Sequence, residues 1–535
     1  MSTSNDRILI ESIAEAARRG KVSRREFMQF SVAAGITATA GSALWTSEVS
    51  AQTPKKGGTF RVGVHNGNTS DSMDPGAYQA IGEIQLAHTF RSYLTEITSE
   101  NGLGPDMADA WETNDDATVW TFQLNPDATF HDGRSFTARD AVASLNHHRG
   151  DDTSSAAKAL LETVSDVKAD GDHTLIVELS TGVADFPWLM TDYHLAMLPA
   201  KEDGTVEWKN WTGAGPYKIV SHKPGVTTSM VRHDGWHREG AYFDAVEFTY
   251  INDPNARQTA LMTGDVDSIT SPDLKTLSLL QRNKDIAIDN TPSGSALTFP
   301  MFADVDPYTD VHVRLAMKHA INRQELIDKT MFGTGTVAND VHVSSNMPYY
   351  AELEQTPYDP DKAKFHLGKA GLDKLKVDLS TSDSVYPSAV DMCTLFAEHA
   401  RPAGITINVV REPADGYWSN VWLKKPFCFV KWGARPTPDN IFSLAYASDV
   451  VWNESHWSNA RFDELLEQAR AELDDDLRTE MYAEMQQLAK DDGSTVIPAF
   501  VNFVCARNAK VMHGPSVAAS WENDGARAAH RWWFA

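Results

Sequence analysis

The run Phe427-Cys428-Phe429-Val430-Lys431-Trp432-Gly433 narrows the fold more than any other stretch of this chain. It is mostly apolar and aromatic with no helical periodicity, which reads as a buried strand. It also stops abruptly. Gly433, Pro436 and Pro438 follow, and none of them can extend a sheet ladder. The strand therefore delivers Trp432 and Arg435 to its carboxyl end, where α/β sheets hold ligands. Trp offers a flat apolar face, and Arg a planar fork suited to carboxylate or phosphate. The same pair would serve equally as a core indole and a surface guanidinium, so these residues alone leave both readings open.

Elsewhere strand and helix patterns alternate. Strands are predicted at Thr59–Val64, Val119–Leu124, Thr174–Leu179, 217–220, 246–251 and 405–410, and helices at 79–93, 138–147, 312–329, 390–400 and 461–489. Thr137 is a good cap for the second helix, and Gly264 ends a helix that begins behind Asp253-Pro254. Such alternation argues for an α/β fold with mostly non-local sheet order. With 535 residues the chain can form more than one domain around a large core. A formal charge of -25 makes nucleic acid and anionic membranes poor partners. Cys393, Cys428 and Cys505 are too far apart for a zinc ribbon or a disulfide scaffold, and Cys428 reads as a buried, inert thiol.

The amino terminus reads as an address. Ser23-Arg24-Arg25-Glu26-Phe27-Met28-Gln29 precedes a moderately apolar stretch at 30–44 and a small-residue cleavage site, Val49-Ser50-Ala51. This resembles a twin-arginine export signal, with Met28 and Gln29 in place of its usual last two residues. Residues 1–51 are therefore set apart from the fold. No later stretch approaches the roughly 18 consecutive apolar residues of a membrane span. The expectation is a soluble, exported protein cleaved near Ala51, in the periplasm.

No chemistry-bearing motif stands out. G-x-S-x-G, H-E-x-x-H, a P-loop and a G-x-G-x-x-G behind a strand are all missing. Ser165-Asp166-Val167-Lys168 has S-x-x-K spacing but lies before a turn. His312 and His319 can share a helix face, yet nothing completes a metal shell around them. Glu472 and Asp474 to Asp476 read as a solvated surface. Neither catalytic residues, nor a metal, nor a cofactor are expected.

Several blocks do match a family in order and spacing. Asp106-Met107-Ala108-Asp109-Ala110-Trp111-Glu112, Trp120-Thr121-Phe122-Gln123-Leu124, Phe130-His131-Asp132-Gly133 and Phe136-Thr137-Ala138-Arg139-Asp140-Ala141-Val142 come first. Gly213-Ala214-Gly215-Pro216-Tyr217, Thr263-Gly264-Asp265-Val266-Asp267, the run from Val313 to Arg323, and Pro438-Asp439-Asn440 follow. Together they resemble the extracellular solute-binding proteins of family 5, the dipeptide and oligopeptide receptors of ABC importers. The resemblance implies a two-lobed α/β periplasmic binding protein of type II, with mixed sheets, flanking helices, hinge strands and an extra subdomain. Lobe I would hold 52–90, 212–297 and 498–535, the extra subdomain 91–211, and lobe II 298–497. Its partners would be a small molecule or short peptide and an inner-membrane ABC permease, with the protein a monomer. A receptor for chemotaxis or signalling, or a secreted two-lobed hydrolase, are the alternative readings.

The charged anchors depart from the family pattern. Dipeptide receptors carry Trp-x-x-Asp at this strand end, the Asp meeting the peptide ammonium, whereas the corresponding residue counted from Trp432 is Arg435. The Arg that meets the peptide carboxylate aligns with Asp383, and Phe299-Pro300-Met301-Phe302 replaces the family asparagine after the hinge strand. A buried Arg without an anion is costly, so Arg435 should meet a ligand carboxylate or phosphate, or Asp383 itself. Trp432, Trp418 and Trp452 would supply stacking surface, and His65, Asn66 and Asn453 polar contacts.

Overall fold

The computed structural model of the protein describes residues 54–535; the predicted export signal and cleavage site at Ala51 lie outside them. The largest sheet is mixed and has nine strands. Thr59–Val64 lies parallel between Ala245–Tyr250 and Ser268–Thr270. On one side the sheet continues antiparallel through Thr227–Arg232 to Tyr217–Lys223. On the other, Ser268–Thr270 pairs with Thr495–Asn508, which pairs in turn with Ile286–Pro300. Val430–Lys431 lies at the far edge on Ile286–Pro300.

The two long strands, of 15 and 14 residues, connect separate cores. At one end Ile286, Ile288 and Val504 pack with Ile269 and Leu261, beside a neighbouring core of Phe60, Val62, Phe243, Phe248 and Trp532. At the other end Leu297, Phe299, Val496 and Phe500 join Met317, Phe396, Phe427 and Phe429. The register between the strands shifts between Thr291 and Ser295. Pro292 lies in that interval and has no N–H to give to a ladder. A further core fills a four-stranded antiparallel sheet (Ala108–Thr113, Val119–Leu124, Thr174–Leu179, Val164–Ala169) backed by the helix Ala138–Asn146.

The 427–432 run is central to the core around Phe299. Phe427 bridges Met301, Val430 pairs with Thr298, and Cys428 bridges Ser380 at the end of the strand Leu375–Thr381. It thus joins the long hinge strand to a parallel pair, Leu375–Thr381 and Ile405–Arg411, connected by the helix Ala389–Ala400. Regular pairing is confined to Val430–Lys431, shorter than the predicted strand. Phe427, Cys428, Phe429 and Val430 are nonetheless almost fully buried, and each buried Phe contributes roughly 2 kcal/mol. All three cysteines are free and buried.

Two long helices of the sequence reading are each broken in two. The 312–329 segment forms Val311–His319 and Arg323–Thr330, because Asn322 restarts the helix by accepting from the Glu325 N–H at 3.1 Å. The 461–489 segment forms Ala460–Ala471 and Asp475–Asp491, with Asp474 capping the second by accepting from Asp476 and Leu477. Periodicity persists across such breaks because both halves bury the same side. Caps, not the apolar pattern, mark the joints.

Candidate ligand site

Between the cores lies a cavity of about 870 Å³. Tyr78, Trp188, Tyr193 and Trp521 line one side, and Gly294, Met347, Gly433 to Pro436 and Trp452 line the other. The backbone of Trp432 positions the second wall. Its N–H donates to the Ala296 carbonyl at 2.8 Å, and its carbonyl accepts from the Ser295 hydroxyl at 2.7 Å. Side chains then alternate as in a strand: Val430 and Trp432 are buried, while Lys431 and Gly433 face out. Pro438 does more than stop the ladder. It begins the helix Pro438–Ala445, capped by the Thr437 hydroxyl, and Asp439 and Asn440 of its first turn reach the cavity.

Arg435 is half-buried on the cavity wall. Its Nη1 donates to the carbonyls of Gly433 and Ala434, each at 3.1 Å. A Cβ on Gly433 would stand 3.3 Å from that nitrogen, so glycine gives the guanidinium room to fold back. Burial lowers the Arg435 pKa, opposed by the charge of Asp192 and by Tyr193. The other charged pairs lining the cavity are already made. Arg470 is 3.2 Å from Asp439 and Arg527 is 3.1 Å from Glu96, while Asp192 is hydrogen-bonded to the His194 imidazole at 2.6 Å and, among the described residues, Glu162 lines the cavity outside any ion pair. Among the described residues no carboxylate lies within ion-pair distance of Arg435.

Behind Arg435 stands a cluster of indoles. Trp418 meets Trp422 edge-on at 5.7 Å, and Trp422, Trp432 and Trp452 meet one another at 5.7–6.2 Å. Glu454 organises them. Its carboxylate accepts from the Trp422 indole at 2.8 Å and from the Thr298 hydroxyl of the hinge strand at 2.9 Å. Burial outweighs these bonds and pushes the Glu454 pKa up to about 7.

The sequence-derived residues divide accordingly. Arg435 and Trp452 line the cavity. Trp432 is buried one layer behind, 5% exposed, and Trp418 is exposed at the outer end of the cluster. Asn453 is buried and ties its own loop, donating to the carbonyls of Ala447 and Trp457. His65 lies at the hinge end, bonded to the Thr270 hydroxyl at 2.8 Å, with its pKa lowered to about 4 by burial and by Arg257 and Lys431. Asn66 is exposed in a left-handed turn at φ 56°.

Asp383 is elsewhere. It pairs with Arg411 at 3.1 Å and accepts from the Val390 N–H at 3.2 Å, beside a separate surface pocket. The countercharge of Arg435 is therefore not Asp383, which serves the start of the helix Ala389–Ala400. Counting residues from Pro387 gave register but no distance. Asp383→Asn is expected to leave solute affinity within about threefold of wild type in calorimetry, below the threshold of one charge-assisted contact. A loss above that would return Asp383 to the site. Sequence reasoning also missed Glu454, Trp422, Asp192 and Tyr193. Only Glu454 had a signal, as an acid between Trp452 and Trp457.

The family model for bacterial extracellular solute-binding proteins, family 5 Middle, matches residues 102–453. The dipeptide-binding protein of Escherichia coli strain K12 is 23% identical over 476 residues, spanning 81% of this chain and 85% of that protein. HbpA2 from Haemophilus parasuis superposes with a TM-score of 0.80 at 17% identity, over 89% of this chain and 100% of that one. The binding protein AgaA from A. tumefacien R10, solved with agropinic acid, gives 0.70 at 18% identity over 89% and 99%. These likenesses share the two-lobed, mixed α/β fold.

Proposed function

The chain belongs to family 5 of the bacterial extracellular solute-binding proteins, and on that premise we propose that it captures a small, acidic, peptide-like solute between its lobes for an inner-membrane ABC permease. The observation that carries the acidic solute is Arg435, a half-buried cation on the cavity wall with no protein carboxylate within ion-pair distance among the described residues. A bound anion would supply the missing charge through a forked pair of N–H donors. An ordinary dipeptide would bring its ammonium to this position and meet like charge.

In this reading lobe I comprises 52–90, 212–297 and 498–535, the extra subdomain 91–211, and lobe II 298–497. The lobes close over the solute by bending of Ile286–Pro300 and Thr495–Asn508 near Pro292. The protein works as a monomer in the periplasm, and no residue is assigned a catalytic role. Export follows the twin-arginine route, so Arg24→Lys with Arg25→Lys is expected to leave the full-length precursor in the cytoplasm of the producing cell. Normal export of that double variant, seen by fractionation, would remove the twin-arginine assignment.

Native mass spectrometry of freshly purified periplasmic protein tests the function. The expected result is a bound compound of small mass, released on unfolding and acidic at neutral pH. A retained compound that carries only positive charge would overturn the acidic-solute reading. A secreted hydrolase would consume such a compound, whereas a binding protein is only stabilised by it through mass action.

A further inference from the structure

The core around Phe122 and Phe186 meets the core around Phe442 and Tyr482 across a buried ion pair, Asp185 with Arg478. Their side chains are 3% and 6% exposed. Each charge is held in place by its own side of the cleft. Asp185 opens the short helix Phe186–Leu189, and its carbonyl accepts from the Trp188 N–H at 2.9 Å. Arg478 lies on Asp475–Asp491 with its guanidinium 4.6 Å from the centre of the Tyr349 ring. Its Nη1 donates to the Tyr349 hydroxyl at 2.7 Å, and that hydroxyl donates to Asp475 at 2.8 Å.

The contact borders the cavity. The Ala184 N–H, next to Asp185, donates to the Arg470 carbonyl at 2.8 Å. Arg470 and its partner Asp439 line the cavity, and Val183, Trp188 and Leu189 line it from the opposite side. Gly182 permits the approach, since a Cβ there would stand 3.1 Å from the Ala471 Cβ. Parting the two walls would break the ion pair and the Ala184–Arg470 hydrogen bond together. Water would then hydrate both charges, which offsets much of the lost attraction. A pair of this kind can be made and broken at small net cost.

We propose that Asp185 and Arg478 form a latch that holds lobe II against the extra subdomain, positioning the cavity walls without touching the solute. This rests on the lobe closure proposed above. Desolvation sets the behaviour of the latch. Removing one partner leaves an unpaired charge that is buried only in the closed form, so the cleft opens. Replacing both partners with apolar side chains of similar size removes that penalty, and the walls can meet again.

Small-angle X-ray scattering on purified protein stripped of solute tests this. Asp185→Asn and Arg478→Met are each expected to give a larger radius of gyration than wild type. Asp185→Leu combined with Arg478→Met should return the radius to the wild-type value. Affinity for the copurified solute should fall at least roughly tenfold in each single variant, because less of the protein is closed, and recover in the double variant. Unchanged radii in the single variants would overturn the latch, even with a lower melting temperature, since that marks a fixed core contact. Opened single variants that keep wild-type affinity, or a double variant that stays open, would overturn it too. If wild type opens on stripping and the single variants match it in both states, closure stands and only the latch falls. If solute-loaded wild type, stripped wild type and the variants all share one radius, the lobes do not move and the closure reading falls with the latch.

Discussion

Arg435→Met is expected to lower the affinity for the copurified solute by roughly 30-fold to several thousand-fold, the 2–5 kcal/mol cost of breaking one side of a buried charge pair. The same change should leave the stripped protein as stable as wild type, or more stable. In the empty cleft Arg435 has only the carbonyls of Gly433 and Ala434, and burial already works against its charge. Met keeps much of the stem and removes an uncompensated cation. Calorimetry and a melting curve on one preparation give both numbers. An affinity within about threefold of wild type would remove Arg435 from the site. Lost affinity together with a much lower melting temperature would make it structural.

The second large effect is a pH dependence set by Glu454. Its folded pKa is raised, to about 7 from 4.5, so folding favours its protonated form. The sign is the reverse of a salt-bridged acid. Full stability is present below the unfolded value, and it is lost as pH rises through the folded value. The loss is on the order of 3 kcal/mol, complete a little above neutrality. Glu454→Gln can hold the Trp422 indole with its oxygen and give its amide to the Thr298 hydroxyl, so both partners are kept without the charge. Chemical denaturation at about pH 5 and about pH 8 should therefore show the Gln variant gaining on wild type as pH rises. A stability difference independent of pH would mean that Glu454 does not titrate in that interval. Glu522, also raised to about 7, remains in both proteins and cancels in the comparison.

Much of the fold was legible because each strand and cap leaves a local mark. Thr137 before Ala138–Asn146 and Gly264 after Pro254–Thr263 are examples: the Asp140 carboxylate reaches back to accept from the Thr137 N–H and hydroxyl at 2.9 and 2.7 Å, and Gly264 takes the left-handed φ of 79° that glycine allows at least cost. The 427–432 run likewise announced burial. Its partners were hidden, since they are Ser380, Thr298 and Met301, far away in sequence. The site was legible in one residue more than as a constellation. The position of Arg435 after a broken strand marked it as a candidate, and both it and the nearby aromatic Trp452 line the cavity. Asp383 shows the limit of counting, because a match in register carried it to a different surface. Glu454 shows another. Its role depends on Trp422, 32 residues away, and on Thr298, 156 residues away, and no local pattern encodes that meeting.

The most direct measurement is a crystal structure of the protein with the solute that copurifies with it. The expected result is closed lobes, with an acidic group of the solute accepting from the Arg435 guanidinium at about 2.8 Å. A solute seated in the cleft with its acidic group away from Arg435, or with an ammonium turned toward it, would contradict the account.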